Sequence, residues 1–133
     1  MTTATALYAS LLWASLCAAA QKDSAPVFAC NPKAISASER PRYNELVKRV
    51  RTAMKDRREI ANGYVFKLDS GSVTLPEAAE WISMERLCCP FLTLQLSASG
   101  SQADWILTLT GPEGVKPLLD AEFPGSLKTP DYR

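Results

Sequence analysis

The chain has 133 residues, room for one domain, and its 47% apolar and 22% charged residues are the balance of a soluble globular protein rather than a disordered tail or repeat array. A net charge of +1 gives no global field to draw in nucleic acid or an anionic membrane. There is no histidine, which excludes Ser-His-Asp and Cys-His catalysis, histidine-ligated zinc or haem, and imidazole pH switching.

The opening segment, MTTATALYASLLWASLCAAAQ, carries no charged side chain. An apolar run spans Ala6 to Ala19, and Ala18, Ala19 and Ala20 precede Gln21. This pattern reads as a secretory signal peptide over residues 1–20, cleaved after Ala20, with a retained anchor as the second reading. The run falls short of the roughly 20 apolar residues of a membrane span, so no stable insertion is expected after cleavage. Leu16, where a small residue would stand in a lipoprotein signal, argues against lipidation of Cys17. Secretion, or export to a periplasm, removes Cys17 and leaves Cys30, Cys88 and Cys89. Three is an odd number in an oxidising compartment, so at least one thiol is free, paired outside the chain or metal-bound.

Residues 21–37 hold two prolines and little periodicity, an extended leader containing Cys30. A single domain is expected over 38–124. Tyr43, Leu46, Val47, Val50 and Met54 recur at helical spacing, which predicts a helix from Ser38 to Ala61 with Pro41 in its first turn and Asn62-Gly63 as its stop. Its outer face carries Arg42, Lys48, Arg49, Arg51, Lys55, Arg57 and Arg58, interleaved with acids, and reads as solvated rather than as a nucleic-acid surface. Tyr64–Leu68 is a short strand, and Asp69-Ser70-Gly71-Ser72 is a turn. Thr74-Leu75-Pro76-Glu77 is a capping-box opening for a second helix, which runs to Cys89 and ends at Pro90. Leu92–Ser97 and Trp105–Thr110 alternate as two strands. Gly111-Pro112-Glu113-Gly114 leads into a last helix, Pro124-Gly125 closes it, and 125–133 form a C-terminal tail. The expected fold is α+β: a small two-layer sandwich whose three-stranded, mainly antiparallel sheet is a split β-α-β with helices packed on it.

One stretch stands out, ERLCCPF, Glu85–Phe91. At about 100° per residue, Leu75, Ala78, Ala79, Trp81, Ile82, Cys88 and Cys89 share one arc of the second helix, and Glu85 falls near its middle, one turn before the cysteines. A carboxylate aimed at a core needs a partner, a proton or a cation. Three readings compete. In the first, Glu85 pairs with an arginine of the first helix while the cysteines pack as small hydrophobes, in one variant with a disulfide from Cys30 to Cys88 or Cys89. That variant makes the chain a structural or interaction domain for an unknown protein partner. In the second, Cys30, Cys88 and Cys89 with Glu85 hold a soft ion: zinc, copper(I), mercury(II) or arsenic(III). In the third the pair does thiol–disulfide redox chemistry, against which stand the helix C-terminus and the charge of Glu85, both unfavourable to a thiolate. Gly111 and Gly114 are a weaker feature, a turn that can offer backbone N–H groups to an anion.

ERLCCPFLTLQL followed by LTLTGPEGVKPLL resembles a family of small bacterial proteins that carry E-x-x-C-C-P-F, a strand pair and a T-G-P-E-G-x-K helix start. In this sequence Glu85, Cys88, Cys89, Pro90 and Phe91 fill the first motif, and Gly111, Pro112, Glu113, Gly114 and Lys116 the second. The resemblance covers Ala29 to Phe123. It implies a heavy-metal context and a cysteine near the start of the domain, which Cys30 matches. Pro117 departs from the pattern and implies a later start to the last helix. The exported form also departs from it, since the resemblance implies cytoplasmic members. The reading favoured by the sequence is an exported, non-enzymatic protein that binds a soft metal or metalloid through Cys88, Cys89 and Cys30, assisted by Glu85.

Overall fold

The computed structural model describes residues 27–100 and 103–124, so the signal-peptide segment, Cys17 and the tail lie outside the described residues. Three α-helices and four strands follow a single 3-10 turn at Pro32–Ala34: α1 (Arg40–Ala53), β1 (Met54–Ile60), β2 (Gly63–Leu68), α2 (Leu75–Cys88), β3 (Thr93–Ser97), β4 (Trp105–Thr110) and α3 (Lys116–Glu122). The sheet is antiparallel throughout, in the order β1-β2-β4-β3. β4 lies between β2 and β3, the split arrangement expected around α2. The α+β class holds, but the sheet has four strands rather than three.

The fourth strand comes from what reads as the second half of the first helix. The chain leaves helical geometry after Ala53, and Met54–Ile60 pairs with β2 as far as Ile60 opposite Gly63. The expected helix stop at Asn62-Gly63 is instead the end of a tight hairpin, whose two-residue loop is Ala61-Asn62 and whose Gly63 already pairs in β2. Pairing with the apolar YVFKL strand outweighs a helical periodicity that rests on only Met54 beyond Val50. β1 is an edge strand, and it is protected as edges usually are. Its ladder is interrupted between Lys55 and Arg58, where Asp56 adopts a left-handed φ of 52°. Arg57 turns inward, ion-paired with Asp120, donating to the Pro124 carbonyl at 3.1 Å and lying 3.6 Å from the centre of the Tyr64 ring. Burial alone would push the Asp120 carboxyl up, and hydrogen bonds from Arg57 and Tyr64 hold it low instead.

One sheet face is buried. Tyr64, Phe66 and Leu68 of β2 and Leu107 and Leu109 of β4 meet Leu46 and Val50 of α1 and Ala78 and Trp81 of α2. The opening of α2 follows its sequence signals: Thr74 accepts from the Glu77 amide, Glu77 returns the bond, and Pro76 stands in the first turn. α1 begins later than the expected Ser38, with Glu39 at the cap position and no side-chain cap bond. Much of its basic face meets acids. Arg42 pairs with Glu45 and Glu80, Arg49 with Glu45 and Glu77, and Arg51 with Glu122. No helix among the described residues is long and apolar enough to cross a membrane.

Gly63 lies against β4, and a Cβ there would overlap the Leu109 carbonyl oxygen. Because that atom is backbone in a central strand, it cannot swing away. Gly63→Ala is expected to cost about 2 kcal/mol, a typical overpacking penalty, read as a lowered urea midpoint with an unchanged slope.

Candidate thiol site

The segment before α1 is bound to the end of α2. Ile35 is fully buried in the core, Phe28 stacks at 5.0 Å on Phe91, and the Asn31 amide donates to the Cys88 carbonyl at 2.8 Å. This last bond satisfies a helix-terminal carbonyl that α2 itself leaves free. It also carries Cys30 to the cysteine pair. At Cys89 the chain departs from helical geometry (φ −123°, ψ 70°), while the amide of Cys89 still bonds the Glu85 carbonyl. Its Cα then lies 4.6 Å from that of Cys30, and the two side chains are disulfide-bonded across 59 positions of sequence. Cys88 is a free, buried thiol. All three sulfurs lie within 4.8 Å of one another, an arrangement that can hold a metal ion when the thiols are reduced.

Glu85 is 3% exposed, on the buried arc where its spacing puts it. Its partner is not an arginine but a tyrosine: the Tyr43 hydroxyl donates to Oε2 at 2.7 Å. The second oxygen, Oε1, lies 3.2 Å from Cys89 Sγ. A disulfide sulfur has no hydrogen to give, so in the closed form this is a close contact rather than a hydrogen bond. Burial raises the carboxyl's pKa above the ordinary 4.5, a shift the Tyr43 hydrogen bond opposes. With the disulfide open, the Cys89 thiol becomes the donor and Glu85 accepts from both sides. The Trp81 indole N–H, fully buried and without a hydrogen-bond partner among the described residues, is close enough to favour the carboxylate weakly.

The same surroundings act on the neighbours. Burial, followed by the hydrogen bond to Glu85, raises the Tyr43 phenol well above its ordinary pKa. Burial also pushes the Cys88 thiol up, and its position at a helix C-terminus disfavours the thiolate further. Both effects lower the share of thiolate at Cys88, the form that would attack the neighbouring disulfide. The charge of Glu85, one turn before the pair, raises the Cys88 thiol further, as its position suggests from sequence.

No family model, curated protein or solved structure matches this chain.

Beside the sulfurs lies a cleft of about 500 Å³, lined by Cys30, Cys88, Phe28, Tyr43, Val47 and Leu118, with the ion pair of Arg51 and Glu122 on the same wall. Tyr43 and this cleft were not legible as site features. The tyrosine's helical spacing marks it as part of an apolar stripe, and nothing local distinguishes its hydroxyl. The other candidate, the Gly111–Gly114 turn, sits elsewhere. The Gly111 amide donates to the Asn62 carbonyl at 3.1 Å, so it is engaged in the fold. A Cβ on Gly111 would come within 2.8 Å of Val115, and Gly114 takes a φ of 86°. Close packing and a left-handed turn account for both glycines.

Proposed function

We propose that the reduced domain is a trap for a trivalent thiophilic metalloid, arsenic(III) in chemical class, held by Cys30, Cys88 and Cys89. The observation that carries this reading is the convergence of three sulfurs from two separate segments within 4.8 Å. Soft ligands select soft ions, and the electrostatics choose among them. The three sulfurs are buried or half-buried, the Glu85 carboxyl is bonded to Tyr43 rather than to a cation, and the nearby Arg51 is already paired with Glu122. Three thiolates around zinc(II) or mercury(II) would leave a net negative charge in this setting, which is costly to bury. Three thiolates around arsenic(III) are neutral: arsenous acid gives up its three hydroxyls as water, each taking one thiol proton, and three As–S bonds form. No charge is created. Glu85 and Tyr43 orient the Cys89 thiol and need not ligate.

In the closed form two of the three sulfurs are consumed, so the binding form is the dithiol-plus-thiol state. A disulfide of this kind is at home in an oxidising compartment. That supports the reading of residues 1–20 as a signal peptide and an exported location, while the resemblance to a family with heavy-metal associations supports the choice of ligand and not the location. The expected result is that one equivalent of arsenite protects all three domain thiols of the reduced protein from alkylation, mapped by peptide mass, while one equivalent of zinc(II) protects them incompletely. Protection of only two would overturn the three-sulfur site. The structural reading, a disulfide staple alone, retains one specific observation in its favour, the closed Cys30–Cys89 bond itself; it expects no protection at all.

A further inference from the structure

We propose that Cys30 is a site of S-thiolation, where a low-molecular-weight thiol bearing amino and carboxylate groups enters the cleft and opens the Cys30–Cys89 disulfide. In thiol–disulfide exchange, access decides which sulfur is attacked. The two sulfurs are not equivalent here. Cys30 is half-buried and lines the cleft, whereas Cys89 is fully buried and does not. Cys89 is therefore the leaving sulfur. Cys88 also lines the cleft, but its thiol is not a disulfide and offers no leaving group.

The cleft fits such a reagent. Its volume of about 500 Å³ is far more than a bare ion needs, and falls within the range of small-molecule sites. Phe28, Val47 and Leu118 give it apolar walls, while half-exposed Arg51 and Glu122, 2.7 Å apart, supply one charge of each sign. An amino-acid thiol carries the complementary pair.

The entering thiol ionises in solvent, and its sulfur bonds to Cys30 Sγ as the Sγ–Sγ bond breaks. The bonding pair leaves on Cys89 Sγ, which takes up one proton, equal in number to the one the reagent released. A second thiol then attacks the outer sulfur of the mixed disulfide and frees Cys30. Two small thiols are oxidised to their disulfide, and the protein cystine is reduced to two thiols. The reaction generates the three-thiol form, yet it involves no metalloid, so failure of either reading leaves the other standing.

The test is to incubate the oxidised protein in a glutathione buffer oxidising enough for the mixed disulfide to persist, quench with acid, and map adducts by peptide mass. The adduct is expected on Cys30 in about tenfold or greater excess over Cys88 and Cys89 together. Equal or greater labelling of Cys88 or Cys89, or a disulfide that yields no adduct, would overturn the proposal. Arg51→Glu, a half-exposed change that gives up the pair with Glu122 and the contact over the Phe123 ring, is expected to slow opening by glutathione about fivefold while leaving opening by 2-mercaptoethanol unchanged. Equal effects on both reagents, or on neither, would remove the charge recognition and with it the proposed reagent class.

Discussion

Cys30→Ser is expected to destabilise the protein by about 4 kcal/mol under non-reducing conditions, the chain-entropy value for a closed loop of this length. The disulfide joins residues 59 apart, so its loss frees the segment before α1 from the end of α2 in the unfolded ensemble as well as in the fold. The remaining anchors, Ile35 in the core and the Asn31 to Cys88 hydrogen bond, survive the change and keep the native state reachable. Adding reductant to the unsubstituted protein should reproduce the loss, and adding it to Cys30→Ser should do nothing further. Cys88→Ala is the control. It removes one buried sulfur and no crosslink, for about 1 kcal/mol. Paired urea melts measure both. A Cys30→Ser loss no larger than that of Cys88→Ala would mean the crosslink contributes nothing to folding.

The second large effect is in pH dependence. Burial raises the Glu85 pKa above 4.5, so the folded protein holds this proton more tightly than the unfolded chain does. Stability from this group is therefore complete below about 4.5 and is lost as the pH rises through the folded value. Each tenfold gain in proton affinity on folding corresponds to about 1.4 kcal/mol lost on ionisation. Tyr43, Cys88, Glu122, Arg51 and Trp81 all act on the carboxyl, and burial outweighs them. Glu85→Gln keeps the shape and the acceptor for Tyr43 but cannot ionise. Its stability should be flat where the parent protein's declines, making the variant the more stable protein at neutral pH. Asp120 has the opposite sign: its lowered pKa contributes stability that is lost only as the pH falls below its ordinary 3.8. The two windows do not overlap. A Glu85→Gln curve parallel to that of the unsubstituted protein above 4.5 would show that Glu85 is already ionised in the fold.

How legible these features are from sequence varies with how local their causes are. The start of α2 follows from four residues, Thr74 to Glu77, that cap one another, and nothing distant contradicts them. The burial of Glu85 follows from its angular position alone. β1 is the opposite case. MKDRREI has no strand-like alternation of apolar residues, and it becomes a strand because YVFKL offers a partner and Asp120 a counter-charge for the inward Arg57. Both causes lie beyond any local window. Asn62 marks a break in the pattern, but such a residue ends helices and sits in hairpin loops alike, and here the loop is Ala61-Asn62. At the site, the cysteines announce themselves by type, whereas the Tyr43 hydroxyl reaches Glu85 from 42 positions away. The choice of Cys89 over Cys88 depends on one residue leaving helical geometry, which no spacing rule reveals.

In the proposed trap, three sulfurs from two segments act as one ligand set. Arsenic-edge X-ray absorption on the reduced protein, loaded with one equivalent of arsenite, reads that set directly. Three sulfur neighbours and no oxygen are expected, falling to two sulfurs and an oxygen in Cys30→Ser. Two sulfurs and an oxygen in the unsubstituted protein, or a spectrum unchanged by Cys30→Ser, would contradict it.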